Sequence, residues 1–481
     1  MSMAKFSYLD ESQRATLKTR VFTLLADHGV KLDNHPEIME TLVRSGLKLD
    51  SNSGRVCFPR KALEELLARA PRTFTLGARN PERALPLPRP DGTFYARTCT
   101  GGHGWIDPET AELEKVTLAR LADWARLVNH LDEISFMPYL FPDDAPVATA
   151  DIHALATLFK HTDKHLWVQP YCAESVAALI DLAAAAAGGR KALSDNPLIS
   201  MIACSLTPRA FKQMDMEVIL QAARAGIPIH ACSLPGAGGT APATVLGTVL
   251  LAVAEILALV AMAQAVQPGA PVVACPIIFS TDMATGRSLQ ASVEAMRGAS
   301  LADQFLKQEF GLPTHNYGSG TDSPIPDMQS MSERAMLTTW MAASGLDILG
   351  GAGQLEVATV VSPLQLIVDN EVLAMARRLV MPFSLDDDQM GWQPLTSVEP
   401  GMHFMLADHT LEHCRDAFVP HNFTRPTRDD YEKSGRKNLM DRVMEDYRVL
   451  MAKENSAAAP AELCAELDQL VAAADSKLSS G

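Results

Sequence analysis

From Thr93 to about residue 380 the chain alternates eight times between a short apolar run and a longer stretch with helical spacing. The runs are "TFYARTC", "ISFMPYLF", "HLWVQPY", "LISMIACS", "IPIHACS", "PVVACPIIF", "PTHNYGSG" and "LDILGGAG". Stretches such as "TLARLADWARLVNHL", "ESVAALIDLAAAAAG" and "SERAMLTTWMAASG" follow them, and Gly226, Gly311 and Gly345 stand where a helix ends before the next strand. A doubly wound sheet also alternates, but eight units at intervals of roughly 30 to 45 residues favour closure into an α/β (β/α)8 TIM barrel. The expected organisation is an N-terminal helical extension (1–92) packed on the barrel, the barrel itself (93–380), and a C-terminal extension with helical segments (381–481). The Pro-rich link "LPLPRPDG" marks the first boundary.

One stretch is apolar enough to cross a membrane: "ATVLGTVLLAVAEILALVAMAQAV", from Ala243 to Val266, interrupted only by Glu255. It lies between two strands and lacks flanking Lys/Arg and a Trp/Tyr belt, so a buried helix of a protein without membrane contact is expected. Such a helix points to a subunit interface, hence to a homo-oligomer. The formal charge of −15 argues against nucleic acid and anionic membranes as partners. None of the eight cysteines forms a C-x-x-C pair and no signal peptide is apparent, which places the chain in the reducing cytoplasm.

The stretch "SLPGAGGTAPATVLGT" spells G-x-G-x-x-A through Gly236, Gly238 and Ala241, between a strand and a helix, with Glu255 about twenty residues on. For NAD the context is wrong. The loop is the fifth of the barrel rather than the first of its fold, and Glu255 falls in mid-helix rather than after the second strand. What survives is a glycine loop, Gly236 to Gly239, at the C-terminal face, where barrel enzymes build their sites.

The other strand ends supply His103 and Trp105; Tyr139 and Phe141; Gln169 and Tyr171; Ser205 and Thr207; Phe279, Ser280 and Asp282. The seventh and eighth give Asn316, Tyr317 and Asp322, then Gly350, Gly351, Gly353, Gln354 and Glu356. Aromatic rings are scarce in this chain, yet several fall here, either as packing or as a cage for a quaternary ammonium. His403, His409, His413 and Cys414 cluster in "HFMLADHTLEHC", but without H-E-x-x-H or a thiol pair no metal is assigned to them. Cys99, Cys172, Cys204, Cys232 and Cys275 lie in or beyond five strands, and buried thiols are expected there in preference to zinc ligands.

The segments "LPGAGGTAPATVLGTVLLAVAEILALVAMAQAVQPGAPV", "GSGTDSPIPDMQSMSERAMLTTWMAASGLDILGGAGQLEVATVVSPLQLIVDNEVL" and "HFMLADHTLEHCRDAFVPHNFTRP" together resemble the trimethylamine methyltransferase superfamily, in its branch without pyrrolysine. The resemblance runs from about residue 10 to 452. It implies methyl transfer from an amine to the Co(I) of a corrinoid carried by a cognate protein. In members without pyrrolysine the donor is a quaternary amine, glycine betaine being the best known; carnitine, proline betaine and trimethylamine are the alternatives, and a zinc-dependent barrel methyltransferase is the rival class. Ordinary residues, "TDSPIPD", stand near where the trimethylamine enzymes carry pyrrolysine. On this reading Tyr139, Tyr171, Phe279 and Tyr317 hold the cation, and His103 or Asn316 holds a carboxylate, with Gln354 beside them. Gly236, Gly238, Gly239, Gly350, Gly351 and Gly353 let the corrinoid approach, and cobalt chemistry needs only positioning from the protein.

Overall fold

The computed structural model describes residues 6–50 and 52–478. Eight parallel strands form its centre: β1 (Tyr95–Thr98), β2 (Ile134–Pro138), β3 (His165–Val168), β4 (Ile199–Cys204), β5 (Ile229–Ser233), β6 (Val272–Pro276), β7 (His315–Tyr317) and β8 (Ile348–Ala352). Their order is β6-β5-β4-β3-β2-β1-β8-β7. A parallel bridge between Ala274 and Thr314 joins the ends, with the Ala274 amide on the Pro313 carbonyl at 2.9 Å. The sheet is a closed barrel.

Eight helices surround it: α1 (Leu118–Asn129), α2 (Ala150–His161), α3 (Ser175–Ala187), α4 (Gln213–Ala225), α5 (Val245–Val266), α6 (Val293–Phe310), α7 (Met328–Ser344) and α8 (Pro363–Val380). Local chemistry sets their ends. Thr117, Thr244, Ser292, Asp327 and Ser362 each accept a first-turn N–H, and α8 begins with Pro363. Gly226, Gly311 and Gly345 close α4, α6 and α7 at φ of 72°, 67° and 87°, which glycine adopts without strain.

The N-terminal extension contains more than helices. Besides Glu11–Thr23, Pro36–Arg44 and Arg60–Leu67 it has strands Val30–Leu32, Lys48–Asp50 and Arg55–Cys57, paired with Ala210–Phe211 beyond β4. A hairpin, Phe74–Leu76 with Leu85–Leu87, plugs the N-terminal end of the barrel, its Leu76, Leu85 and Leu87 joining the interior core. Strands of three residues are too short for alternation to register in a sequence.

Helix α5 corrects another expectation. Its apolar surface is covered by α4, α6 and the three N-terminal helices of the same chain, so it is not left for a subunit interface. Length and composition alone suit it to a membrane, yet 78% of its most apolar window is buried inside the fold. At the other end of the chain, Leu439–Met451 packs on α1 and α8, and Ala461–Leu478 packs on α2 and α3. Between α8 and these helices runs a stretch with Phe383, Trp392, Leu406 and Val419 exposed.

Candidate active site

The C-terminal mouth is held in shape by Glu255, wholly buried in α5. Its Oε2 accepts the hydroxyls of Ser205 and Ser233 at 2.5 Å and of Thr207 at 2.9 Å, and its Oε1 accepts the Arg209 amide at 2.6 Å. Every partner is a donor, the complement a carboxylate requires. Arg209 is itself in the left-handed region, at φ 54°, so the carboxylate pins a backbone turn that a non-glycine residue rarely adopts. The acidic residue of the glycine motif thus ties the tops of β4 and β5 together.

A second buried pair, Arg334 and Asp369 at 2.6 Å, does the same across β7 and β8. Arg334 also donates to the Ser319 carbonyl, and Asp369 accepts the Gly353 amide. Nearby, Asp322 accepts the amides of Gln290 and Ala291, and Thr321 donates to Glu333. The "TDSPIPD" loop is therefore occupied with its own hydrogen bonds.

Inside the barrel lies a polar layer that sequence reasoning missed. Arg97 of β1 is wholly buried, its guanidinium carbon 4.3 Å from the Trp167 ring centroid and 4.8 Å from that of Tyr317. Its Nε donates to His315 Nε2 at 2.7 Å and its Nη1 to the Thr98 carbonyl at 2.7 Å. That places the His315 proton on Nδ1, which faces His230 Nδ1 at 3.0 Å and Cys275 Sγ at 3.1 Å. Burial drives both imidazoles well below the usual histidine range, so both are neutral. Deeper still, His165 lies between the Gly77 carbonyl and Ser200, its pKa lowered to about 4 by burial. Among the described residues no carboxylate pairs with Arg97.

His230, Cys275 and His315 bring their ligand atoms within 4.8 Å of one another. The tautomer imposed by Arg97 nevertheless leaves His315 Nδ1 protonated, with no lone pair there for a metal. On the surface, Asp388, rather than His403 or Cys414, completes a group with His409 and His413. Both His413 nitrogens engage carboxylates, Asp416 at 2.6 Å and Asp388 at 3.2 Å, which raise its pKa. Cys414 instead faces the Leu411 carbonyl of its own helix. All eight cysteines are free thiols.

The residues expected at the mouth divide into three groups. Tyr317 points into the barrel over Arg97, its hydroxyl held up at about 12 by burial with Arg97 opposing; Phe279, half-buried, packs on the same interior cluster. His103, Phe141 and Tyr171 form a chain of rings at the rim, with centroids 5.2 and 5.0 Å apart, beside a cavity of about 450 Å³ lined by Phe141, Gln169 and Tyr171. Tyr139 and Asn316 face outward instead. Tyr139 packs into the helix layer and donates to the Gln169 carbonyl, and Asn316 Nδ2 donates to the Pro276 carbonyl and to Asp303 of α6. Successive strand residues point to opposite faces, so Asn316 and Tyr317 cannot both line the interior.

The glycines also part company. The Gly236–Gly239 loop stays at the rim, but Gly239, Thr240 and Ala241 all give their amides to the Gly236 carbonyl, leaving none of the three to cradle a phosphate. Gly350, Gly351 and Gly353 are buried and make room for the protein itself. A Cβ on Gly350 would lie 2.6 Å from the Arg97 guanidinium carbon, on Gly351 2.8 Å from the Tyr317 ring, and on Gly353 2.5 Å from Trp124. They are corrected from corrinoid-facing to internal packing positions. Gln354 is buried too, its amide donating to Gln290 above Tyr317.

Comparison with known proteins agrees with this architecture. The family described as "Trimethylamine methyltransferase (MTTB)" matches residues 1–478. The chain is 28% identical over 459 residues to trimethylamine methyltransferase MttB of Desulfitobacterium hafniense (strain DSM 10664 / DCB-2), covering 95% of this chain and 91% of that protein. It is 27% identical over 480 residues to glycine betaine methyltransferase of Desulfitobacterium hafniense (strain Y51), covering 98% and 97%. The structure described as the hydroxylamine MtmB complex aligns with 99% of this chain and 89% of its own, at a TM-score of 0.55 and 12% identity, a likeness of fold.

Proposed function

Because the chain belongs to the trimethylamine methyltransferase family, we propose that its barrel mouth moves a methyl group from a quaternary amine, glycine betaine before others, to a corrinoid carried by a partner protein. The family is one of methylamine:corrinoid methyltransferases. The corrinoid, when bound, supplies a Co(I) nucleophile that takes the methyl group; this chain binds the donor, aligns one N-methyl carbon with the mouth and excludes water. A quaternary nitrogen departs as a neutral tertiary amine, so no residue has to deliver a proton.

The observation that carries this reading is the rim. Val147, Leu206, Leu246, Met283, Ile325 and Met328 sit in the loops or first helical turns at the C-terminal face, and each is more than half exposed. Apolar side chains gathered around a barrel mouth fit a protein that docks there, bringing its cofactor over the opening. The Gly236–Gly239 turn, with only one side chain larger than hydrogen, interrupts that rim without adding bulk. Of the rings expected at the mouth, Phe279 and Tyr317 belong to the interior cluster, and they suit a methylated cation. The exposed apolar stretch from Phe383 to Val419 supports a homo-oligomer, and free thiols together with so reducing a partner support a cytoplasmic setting.

The test mixes purified protein with chemically reduced cobalamin and, separately, glycine betaine, carnitine, proline betaine and trimethylamine. Loss of Co(I) absorbance and gain of methylcobalamin are followed. Conversion with glycine betaine is the expected result; conversion with trimethylamine alone overturns the donor assignment.

A further inference from the structure

Arg97 carries a full charge into the barrel with no counter-charge among the described residues. Its Nη2 has no hydrogen-bond partner. On the neighbouring Trp167, and on His230 beyond it, two more polar atoms are in the same condition, Trp167 Nε1 and His230 Nε2; nearer the mouth Gln290 Nε2 and Gln354 Oε1 are also unpartnered. Both imidazoles are neutral, and two N–H groups cannot face each other at 3.0 Å, so His230 Nδ1 presents a lone pair to His315 and its proton sits on Nε2. The unpartnered atoms of Arg97, Trp167 and His230 are all donors.

The side chains that carry them touch. The guanidinium lies on the Trp167 ring, and the Trp167 and His230 ring centroids are 5.3 Å apart. Gly350 clears the space that the guanidinium needs. A barrel that only had to be filled would use Leu or Val at these positions, because a buried unpaired cation and two idle N–H groups each cost free energy. Three unpartnered donors on neighbouring side chains, one of them charged, offer what a monoanion with acceptor oxygens requires.

We propose that Arg97, Trp167 and His230 form a carboxylate-recognition site that selects zwitterionic methyl donors over simple methylamines. The inference rests on the amine-donor reading given above and adds to it the residues that read the acid end. With the carboxylate on Arg97 Nη2, the quaternary head of a short betaine lies outward beside Tyr317 and Phe279, at the mouth. Trimethylamine and choline carry the methylated nitrogen without the acid and leave the three donors idle. Arg97 acts here as a specificity residue; no proton or covalent step is asked of it.

The experiment compares binding by calorimetry and methyl transfer to Co(I) cobalamin for glycine betaine and choline, which differ in carboxylate against hydroxymethyl, in the unaltered protein, in Arg97→Met and in Trp167→Phe. Arg97→Met is expected to weaken betaine binding about a hundredfold more than choline binding. Trp167→Phe, which keeps a ring and removes one donor, is expected to cost betaine about three- to tenfold. Acetate is expected to compete with betaine in the unaltered protein, which keeps the proposal exposed even if Arg97→Met fails to fold. Equal affinity for betaine and choline, no competition by acetate, or betaine turnover unchanged in Arg97→Met overturns the carboxylate site while the donor reading stands. Turnover of trimethylamine without betaine overturns the donor reading first.

Discussion

Removing the carboxylate of Glu255 tests how the mouth is held together. In Glu255→Ala the Arg209 amide loses its acceptor and has no freedom to find another, a cost of about 1–3 kcal/mol for a buried N–H. The hydroxyls of Ser205, Thr207 and Ser233 can rotate, so only part of their bonds to a charged acceptor is forfeited, about 2 kcal/mol in sum. The expected loss is about 4 kcal/mol, large for a single substitution. Glu255→Gln retains one acceptor oxygen and most of the packing, and should lose about half as much. Urea unfolding followed by the fluorescence of buried Trp124 and Trp167 measures both. A loss below about 1 kcal/mol in the alanine variant would refute the reasoning, because the donors would then have been satisfied by water. So would a glutamine variant no more stable than alanine.

Gly350→Ala should lower the melting temperature and slow turnover together, since the new methyl group meets the Arg97 guanidinium at 2.6 Å; an unchanged melting curve would show that the arginine can swing aside. Acid should weaken the fold through His165, whose pKa is lowered to about 4. The unfolded chain binds its proton near 6.5, so stability is lost as pH falls from 6.5 to 4, by about 3 kcal/mol from this ring. Asp215, raised to about 6 by burial, acts oppositely and gains stability as pH falls from 6, so the histidine contribution is read as the difference between the protein and His165→Asn at pH 7 and 4.5; no difference in slope would contradict it. Met283→Glu should raise the KM for the corrinoid partner about tenfold and leave turnover of free cobalamin unaltered. An equal effect on both would remove the rim from docking.

The barrel could be read from the sequence because each of its eight units repeats two signals, an apolar run and a 3.6-residue periodicity closed by a cap. The three-residue strands around Val30 and the plug at Leu76 carry neither signal in sufficient length. The interior chemistry was hidden for another reason. A barrel strand is buried on both faces, so its sequence does not announce which residues point inward. In "HNY" of β7 the phase places His315 and Tyr317 inside and Asn316 outside, and just past β2 it turns Tyr139 toward the helices. Arg97 lies within the strand in "YARTC" rather than among the residues beyond its end, where a barrel's binding residues are expected. The "GGAG" run was visible, but its purpose was not, because the bulky neighbours it accommodates come from Arg97, Tyr317 and Trp124, distant in the chain.

Helix α5 would be a hazard if it appeared bare during synthesis, since it has the length and character of a segment destined for a bilayer. The order of the chain bears on that hazard. The helices that sheath it, Glu11–Thr23, Pro36–Arg44 and Arg60–Leu67, are translated about 180 residues earlier, and an elongating chain folds its N-terminal part first. The residues that cover the apolar surface are thus already synthesised when it emerges. Moving the extension to the C-terminus by circular permutation would leave α5 without that cover through the remainder of translation, so yield in the soluble fraction, rather than final stability, would register the change.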